Sequence, residues 1–539
     1  MLQKIPTIQP FSLRREWYMM LALSLAVLML CLLSLDGFCY WGDDYAAYIN
    51  EAISIAEGRF EEQIKLNYIM HPSNMVDEAE SGQLVYVWGY PLLLSLVYSL
   101  VGFDRVGYTG ILFYKLPSVL ALAGLAALLY RFYRRRMGKS LSFLLALLFC
   151  CCGEFFSFLD TLYSDLVFLF FAVLALSLGE SYIELHGKKG RAAAAILFGM
   201  VLWFMYEVRF NGIAILFACA AAQLFSLLKM RGRTTKLRIG QELLPYFVFA
   251  ALVLLSSAIL APATGNSSDM EGAVLPLFAS NLKYYCSLIV HWLGLLINSL
   301  FINPLYSFLR RLVPISFESL SLVKSLLCAL CIALAALGII FDGIKRNAHL
   351  SLLILVYIIF VSLLPYTQGL RYIYPLLPIV LLFIGCSMQR LINFAAKKFR
   401  GKRFFKLAGW LIYALLCFFI LLPRISDVRN NAIEENITIN SVADIYMQNA
   451  YSPAAVEVYN YIQENTAEDS VIAFFTPRGL YLNTQRLSVK PGVNGHSMDE
   501  ADYYLRYLLM GDFEIFPEPG NDFEPIFENT EFILYRKKA

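Results

Sequence analysis

Four short stretches of this chain set ionisable side chains against long apolar runs, where a charge has to be paired or put to use. In FCYWGDDYAAY, Asp43 and Asp44 follow the first apolar run by a few residues. A carboxylate at such a boundary can act as general base toward an acceptor hydroxyl or hold a divalent cation. The plainer role is an acidic cap on a helix beginning near Tyr45. The two roles divide if Asp43 caps and Asp44 faces a cavity. In FLDTLYSDLVFLFF, Asp160 lies in a turn and is suited to capping the next helix, whereas Asp165 is followed directly by apolar sequence. Asp165 is either a cavity-facing carboxylate or half of a buried salt bridge. A cation bound by Asp44 and Asp165 is compatible with both positions.

YEVRFNGIA places Glu207 and Arg209 in a turn between two apolar runs. They can pair with each other, or Arg209 can pair with Asp165 or clamp a phosphate, whose oxygens suit the planar guanidinium. PYTQGLRYIYPLLP supplies Arg371 with Tyr366, Tyr372 and Tyr374. This reads as an interfacial aromatic belt with a snorkelling arginine, or as a phosphate or sugar contact. His71 and His291 are isolated. No Gly-rich nucleotide loop and no HExxH pattern is present, so a transferase of this sequence needs a donor activated by something other than a soluble nucleotide.

The elements that must hold these residues are membrane helices. The chain has 539 residues, of which 59% are hydrophobic and 16% charged, against about 25% charged in a soluble domain. Lipid is therefore the solvent for most of it, and the net charge of +3 carries no signature of nucleic-acid binding. The 11 cysteines lie almost entirely in apolar runs and read as small hydrophobes. Apolar runs at about 17–35, 111–130, 141–158, 162–179, 192–207, 210–228, 242–261, 322–341, 349–365, 372–389 and 406–423 predict about eleven crossings. The first reads as a retained anchor, since no small-x-small cleavage site follows it. Stretches 85–101 and 284–304 read as interfacial or partly buried helices.

Alternate connections are rich in Lys and Arg, with five in 131–139, five in 229–238 and seven in 390–406. The loop 36–110 has three basic residues against eleven acidic ones. Positive-inside bias puts the N-terminus in the cytoplasm and the C-terminal region outside. Arg310 and Arg311 fall on the outer side in this scheme, and a full crossing at 284–304 would invert everything after it.

Two parts stand outside lipid. The first outer loop is acidic, with a helix expected from Tyr45 to Ala56 ending at Gly58. Beyond Pro423, Ser452 and Pro453 start a helix to about Asn465. DSVIAFF (469–475) reads as a strand, ADYYLRYLLM (501–510) as a helix, and 524–536 as a hairpin turning at Asn529 and Thr530. The expected architecture is a polytopic all-α bundle over 1–423 with a small extracytoplasmic α/β domain over 424–539.

GDDYAAY (42–48), VWGYPLLLSLVYSLVG (87–102), LYSDLVFLFFAVLAL (162–176), VRFNGI (208–213), QGLRYIYPLLPIVLLF (368–383) and the tail VIAFFTPRGLYLNTQR (471–486) together resemble the GT-C membrane glycosyltransferases. The nearest branch is the bacterial one related to protein O-mannosyltransferases and aminoarabinose transferases. The resemblance implies a sugar on polyprenyl phosphate as donor, an acceptor hydroxyl on an extracytoplasmic glycan, lipid or protein, inversion at the anomeric carbon, and residence in the bacterial cell membrane. It implies that Asp44 matches the first-loop catalytic aspartate, although the loop reads GDDY rather than the DE pattern of relatives and leaves the choice between Asp43 and Asp44 open, that Asp165 is the second acidic residue, and that Arg209 and Arg371 are candidates for holding the donor phosphate. Segment 85–102 has Tyr86, Trp88 and Tyr90 where some relatives carry a phosphate-binding lysine, and Lys115 or the Arg310 and Arg311 pair are substitutes. A lipid flippase or transporter and a nonenzymatic assembly factor are the rival classes. The former wants charges near mid-membrane, not gathered at one end.

Overall fold

The computed structural model describes residues 13–41, 43–70, 86–103, 110–185, 190–229, 236–260, 274–303, 306, 320–364, 369–398, most of 411–421, 448–490, 500–510 and 519–538. Helices dominate: α1 (Leu13–Ser34), α2 (Asp43–Glu57), α3 (Phe60–Met70), α4 (Gly89–Val101), α5 (Gly110–Arg134), α6 (Lys139–Cys150), α7 (Gly153–Thr161), α8 (Asp165–Glu184), α9 (Arg191–Val208), α10 (Gly212–Lys229), α11 (Lys236–Ile259), α12 (Val274–Ile297), α13 (Ser321–Gly338), α14 (Ala348–Ser362) and α15 (Leu377–Lys398).

Among the described residues, seven helices are long and apolar enough to cross a membrane, not eleven. The run 141–158 is cut where α6 stops at Cys150 and α7 restarts at Gly153. The run 349–365 becomes the 15-residue α14, short of the about 20 residues that hydrocarbon demands. The apolar part of α10, Gly212–Leu227, is also short, and 406–423 lies mostly outside the described residues. The stretch 284–304 forms the second half of the 24-residue α12 and the π-helical turn Asn298–Ile302 after it; α12 is not among the seven spans, and Asn281 docks it on the end of α14, its Nδ2 donating to the carbonyls of Ser362 (3.3 Å) and Leu364 (2.8 Å).

Ion pairs define the two ends of the bundle. At one end, Arg134 meets Glu16 at 2.9 Å, Arg135 meets Glu180 at 2.9 Å, and Arg390 meets Asp342 at 2.9 Å. These are the Lys/Arg-rich ends of the helices. At the other end lie α2, α3, α4 and the C-terminal domain. There α2 closes at Gly58 with φ of 70°, a left-handed step that suits glycine.

The C-terminal domain follows the expected α/β plan with one correction. Helix α16 (Pro453–Asn465) is capped by Ser452, whose Oγ accepts from the Ala455 amide at 3.1 Å. Strands β1 (Val471–Ala473), β2 (Leu487–Val489), β3 (Tyr503–Tyr507), β4 (Phe523–Glu528) and β5 (Phe532–Lys537) form one sheet in the order β2-β1-β3-β5-β4, with helix α17 (Pro477–Thr484) between β1 and β2. The hairpin β4–β5 turns where expected. ADYYLRYLLM is not a helix: its Tyr-rich centre is β3, paired parallel with β1 and antiparallel with β5. Aromatic residues suit a pleated surface, and two waiting strands decide the outcome.

This domain shares its core with the first loop. Ala450 N donates to Cys39 O at 2.7 Å and Trp41 N to Gln448 O at 3.2 Å. The Trp41 ring is fully buried against Phe474, Phe475, Tyr507 and Phe532, with centroids 5.3 to 6.1 Å away. One hydrophobic cluster runs from α1 through this contact into β5.

Candidate active site

Asp44 sits in the first turn of α2, at the domain-bearing end. The residues Asp44, Tyr48 and Glu51 recur at helical spacing and form one face of α2. Against that face lies Tyr86, just before α4. Its hydroxyl donates to Asp44 Oδ1, its amide donates to Glu51 Oε1 at 3.0 Å, and its ring packs on Tyr48 with centroids 4.6 Å apart. Tyr48 in turn shares a hydrogen bond with Ser164 Oγ at 3.2 Å, and Ser164 immediately precedes Asp165.

Asp165 opens α8, where the helix dipole favours a carboxylate. It is 2% exposed, and its Oδ2 lies 2.6 Å from Arg209 Nη1. No N–H is aligned on that oxygen as a hydrogen bond, so the contact is a close ion pair. Arg209 ends α9 in extended conformation. The turn that carries it is held by α4: a Cβ on Gly89 would stand 2.5 Å from the Glu207 carbonyl carbon, so only glycine lets the two backbones meet. Glu207 does not pair with Arg209. Its Oε1 accepts from Ser256 Oγ (2.6 Å) and Trp203 Nε1 (3.1 Å).

Arg371 enters from the 3-10 turn Leu370–Leu376 that leads into α15. Its Nη1 is 3.6 Å from Asp44 Oδ2, and both Asp165 and Asp44 act on it electrostatically. Arg209 and Arg371 both lie against the Tyr372 ring, at 5.1 and 5.8 Å, and Arg371 also covers Tyr163 at 4.9 Å. Thus Asp44, Asp165, Arg209, Arg371 and Tyr372, drawn from four separate parts of the chain, form one cluster. Lys115 does not join it. Fully buried, its Nζ donates to Phe38 O at 2.7 Å and Asp36 O at 3.1 Å, tying the first loop to α5. Tyr366, Arg310 and Arg311 and the side chains of Asp43 and Asp160 lie outside the described residues.

Tyr48, Glu51, Tyr86 and Arg478 pack beside this cluster, and charge and hydropathy patterning did not single them out. Arg478, on α17, lies with Cζ 6.0 Å from the Tyr86 ring centroid, and its carbonyl accepts from Asn50 Nδ2 at 3.3 Å. For Tyr48 and Glu51, helical spacing from Asp44 is the signal the sequence does carry. Burial, followed by the charge of Asp44, holds the Tyr86 phenol well above its ordinary range, so it remains a donor.

No protein-family model matches the chain, and no curated protein matches it in sequence. Solved structures do. The archaeal oligosaccharyltransferase AglB from Archaeoglobus fulgidus, in complex with an inhibitory peptide and a dolichol-phosphate, matches with a TM-score of 0.55 and 11% identity over 93% of this chain and 70% of that one. ArnT from Cupriavidus metallidurans, bound to undecaprenyl phosphate, matches with a TM-score of 0.51 and 11% identity over 97% of this chain and 98% of that one. The chain shares its fold with these two membrane-protein structures.

A further match is the A. fulgidus oligosaccharyltransferase in complex with Zn and sulfate, with a TM-score of 0.56 and 12% identity over 91% of this chain and 68% of that one. No three His, Cys, Asp or Glu side chains gather as a metal-binding group among the described residues. Asp44 and Asp165 each face a guanidinium.

Proposed function

We propose that the protein transfers a sugar from a polyprenyl-phosphate donor to a hydroxyl of an extracytoplasmic acceptor. The observation that carries this reading is the meeting of Asp44 and Asp165 with Arg209 and Arg371 at the domain-bearing end. That end is taken to face outside, because the paired Arg and Lys clusters occupy the opposite one. Asp44, 28% exposed on its side chain, is the general base. It takes the proton of the acceptor hydroxyl as the acceptor oxygen attacks the anomeric carbon from the face opposite the phosphate. The bond between that carbon and the phosphate oxygen breaks, inverting the centre, and polyprenyl phosphate leaves as an anion. Arg371 and Arg209 balance the charge that collects on its oxygens. A phosphate leaving group needs no proton, so a single base suffices, unlike the paired carboxylates of glycosidases. Asp165 holds Arg209 in place.

The test follows sugar loss from a labelled undecaprenyl-phosphate-sugar pool in membranes containing native protein or Asp44→Asn. Loss with the native protein alone supports the assignment. Full turnover by Asp44→Asn sinks it, and movement of intact labelled lipid between leaflets without sugar loss identifies a flippase instead.

A further inference from the structure

Lys324 lies one turn into α13, a helix with no other charged residue. The helix runs on into the π-helical turn Ile339–Gly343, whose Asp342 pairs with Arg390 at the Lys/Arg-rich end of the bundle. The start of α13, and Lys324 with it, therefore lies toward the domain-bearing end. The half-buried lysine side chain rests on α12. A Cβ on Gly294 would stand 3.2 Å from Lys324 Cε and 3.7 Å from its Nζ, so glycine leaves the room that the lysine stem fills. Among the described residues no ion pair or hydrogen bond holds the ammonium, and neither α12 nor α13 contains an Asp or Glu.

Asn298 lies one turn beyond Gly294 and on the same face, where α12 widens into the π-helical turn Asn298–Ile302. Its Oδ1 is enclosed and has no hydrogen-bond partner among the described residues. An enclosed acceptor beside an unpaired cation, on adjoining helices in apolar surroundings, costs free energy unless something answers both. Snorkelling to water satisfies the lysine alone. An anion answers the ammonium, and a hydroxyl answers the amide oxygen.

We propose that Lys324 and Asn298 form a lipid site between α12 and α13 for a phosphodiester whose head group carries hydroxyls. A phosphate oxygen accepts from Lys324 Nζ, and a head-group hydroxyl donates to Asn298 Oδ1. Phosphatidylglycerol and a polyprenyl-phosphate sugar share this chemistry. None of the residues of the site belongs to the Asp44 cluster, and the site stands whether or not the transferase reading does. The two places are nevertheless linked by packing. Trp292, two residues before Gly294, lies 6.0 Å from Phe149, which lies 4.9 Å from Phe155, which lies 5.1 Å from Tyr374 in the turn that carries Arg371, all between ring centroids. A lipid held at Lys324 thus stands behind one wall of the candidate active site.

Native mass spectrometry of the full-length protein, titrated with phosphatidylglycerol or phosphatidylethanol, tests the site. The two probes carry the same charge and differ in the head-group hydroxyls. Lys324→Gln is expected to weaken retention of both about 10-fold. Asn298→Ala removes the preference of the native protein for phosphatidylglycerol and leaves phosphatidylethanol unaffected. Lys283→Gln, on the exposed face of α12, changes neither. Equal weakening by Lys283→Gln and Lys324→Gln means diffuse attraction and overturns the site, as does a native protein that holds both lipids alike. Should Asn298→Ala fail to fold, a cryo-EM structure of the native protein in phosphatidylglycerol nanodiscs decides. Phosphate density within about 3 Å of Lys324 Nζ supports the site, and its absence there overturns it. Competition with an undecaprenyl-phosphate sugar then assigns the source. Displacement of phosphatidylglycerol upholds the site as a station for the sugar lipid, and no displacement upholds it as one for phospholipid.

Discussion

Asp165 Oδ2 and Arg209 Nη1 lie 2.6 Å apart between the start of α8 and the end of α9, with side-chain exposures of 2% and 14%. An ion pair so placed has given up most of its hydration, and its value lies in fixing geometry more than in net stability. Removing one partner leaves the other charge uncompensated. Asp165→Asn is expected to destabilise the protein by about 3–5 kcal/mol, and Asp165→Asn combined with Arg209→Gln by less than the single change. Thermal unfolding in detergent checks both. A single variant that melts with the native protein removes the pair from its structural role.

Arg371 is asked to serve as a two-pronged phosphate ligand, a task that depends on shape as well as charge. Arg371→Lys keeps the charge but loses the fork and the broad contact with Tyr163 and Tyr372. Transfer is expected to fall about 100-fold, the scale of losing one preorganised donor to a developing anion, with thermal stability within a few degrees of native. Steady-state rates with the labelled lipid donor decide this. A change confined to the acceptor KM would move Arg371 to the acceptor side.

Glu51 yields a pH prediction. Burial, only partly offset by the Tyr86 amide, Arg478 and Asn67, pushes its carboxyl up to about 8. The groups facing it are thus Arg478 from α17, Asn67 from α3 and the amide before α4. A carboxyl raised in the folded state binds its proton more tightly there than in the unfolded chain. Stability from this site is therefore fully present below the unfolded value of 4.5 and is lost as pH rises toward 8. Glu51→Gln keeps an acceptor for the Tyr86 amide and cannot ionise. It should match the native melting temperature near pH 5 and exceed it near pH 9. Parallel curves for the two proteins across that interval would show that Glu51 is not the group responsible.

Trp41 is the anchor between first loop and C-terminal domain. Trp41→Ala empties a fully buried position ringed by Phe474, Phe475, Tyr507 and Phe532, at an expected cost of about 3–5 kcal/mol. Since α2 follows Trp41 directly and carries Asp44, transfer should decline with domain docking. Limited proteolysis reads the docking: faster cleavage within the C-terminal domain is the expected result, and native-like resistance counts against an anchoring role.

Much of this protein is visible in one dimension. Runs of apolar residues bounded by charge mark its membrane helices, because hydrocarbon tolerates no unpaired backbone or charge. The same cost singles out Asp44, Asp165, Arg209 and Arg371 from sequence alone. Helix ends are legible where local chemistry decides them, as at Gly58 and at Ser452 with Pro453. The hairpin at Asn529 is of the same kind.

What tertiary structure decided is who meets whom. Hydropathy cannot tell a helix that runs on through lipid from one that stops at Cys150 and restarts at Gly153, since both are apolar. ADYYLRYLLM carries no local mark of a strand strong enough to overrule its helical reading until β1 and β5 flank it. Lys115 suits a phosphate ligand by charge, yet its Nζ donates to the carbonyls of Asp36 and Phe38 and lies 3.5 Å from the Asp36 carboxylate. Tyr86 has no charge to draw notice. Its hydroxyl nevertheless meets Asp44, which stands beside Arg371, and such contacts between distant parts of the chain are set by packing rather than by any neighbour in sequence.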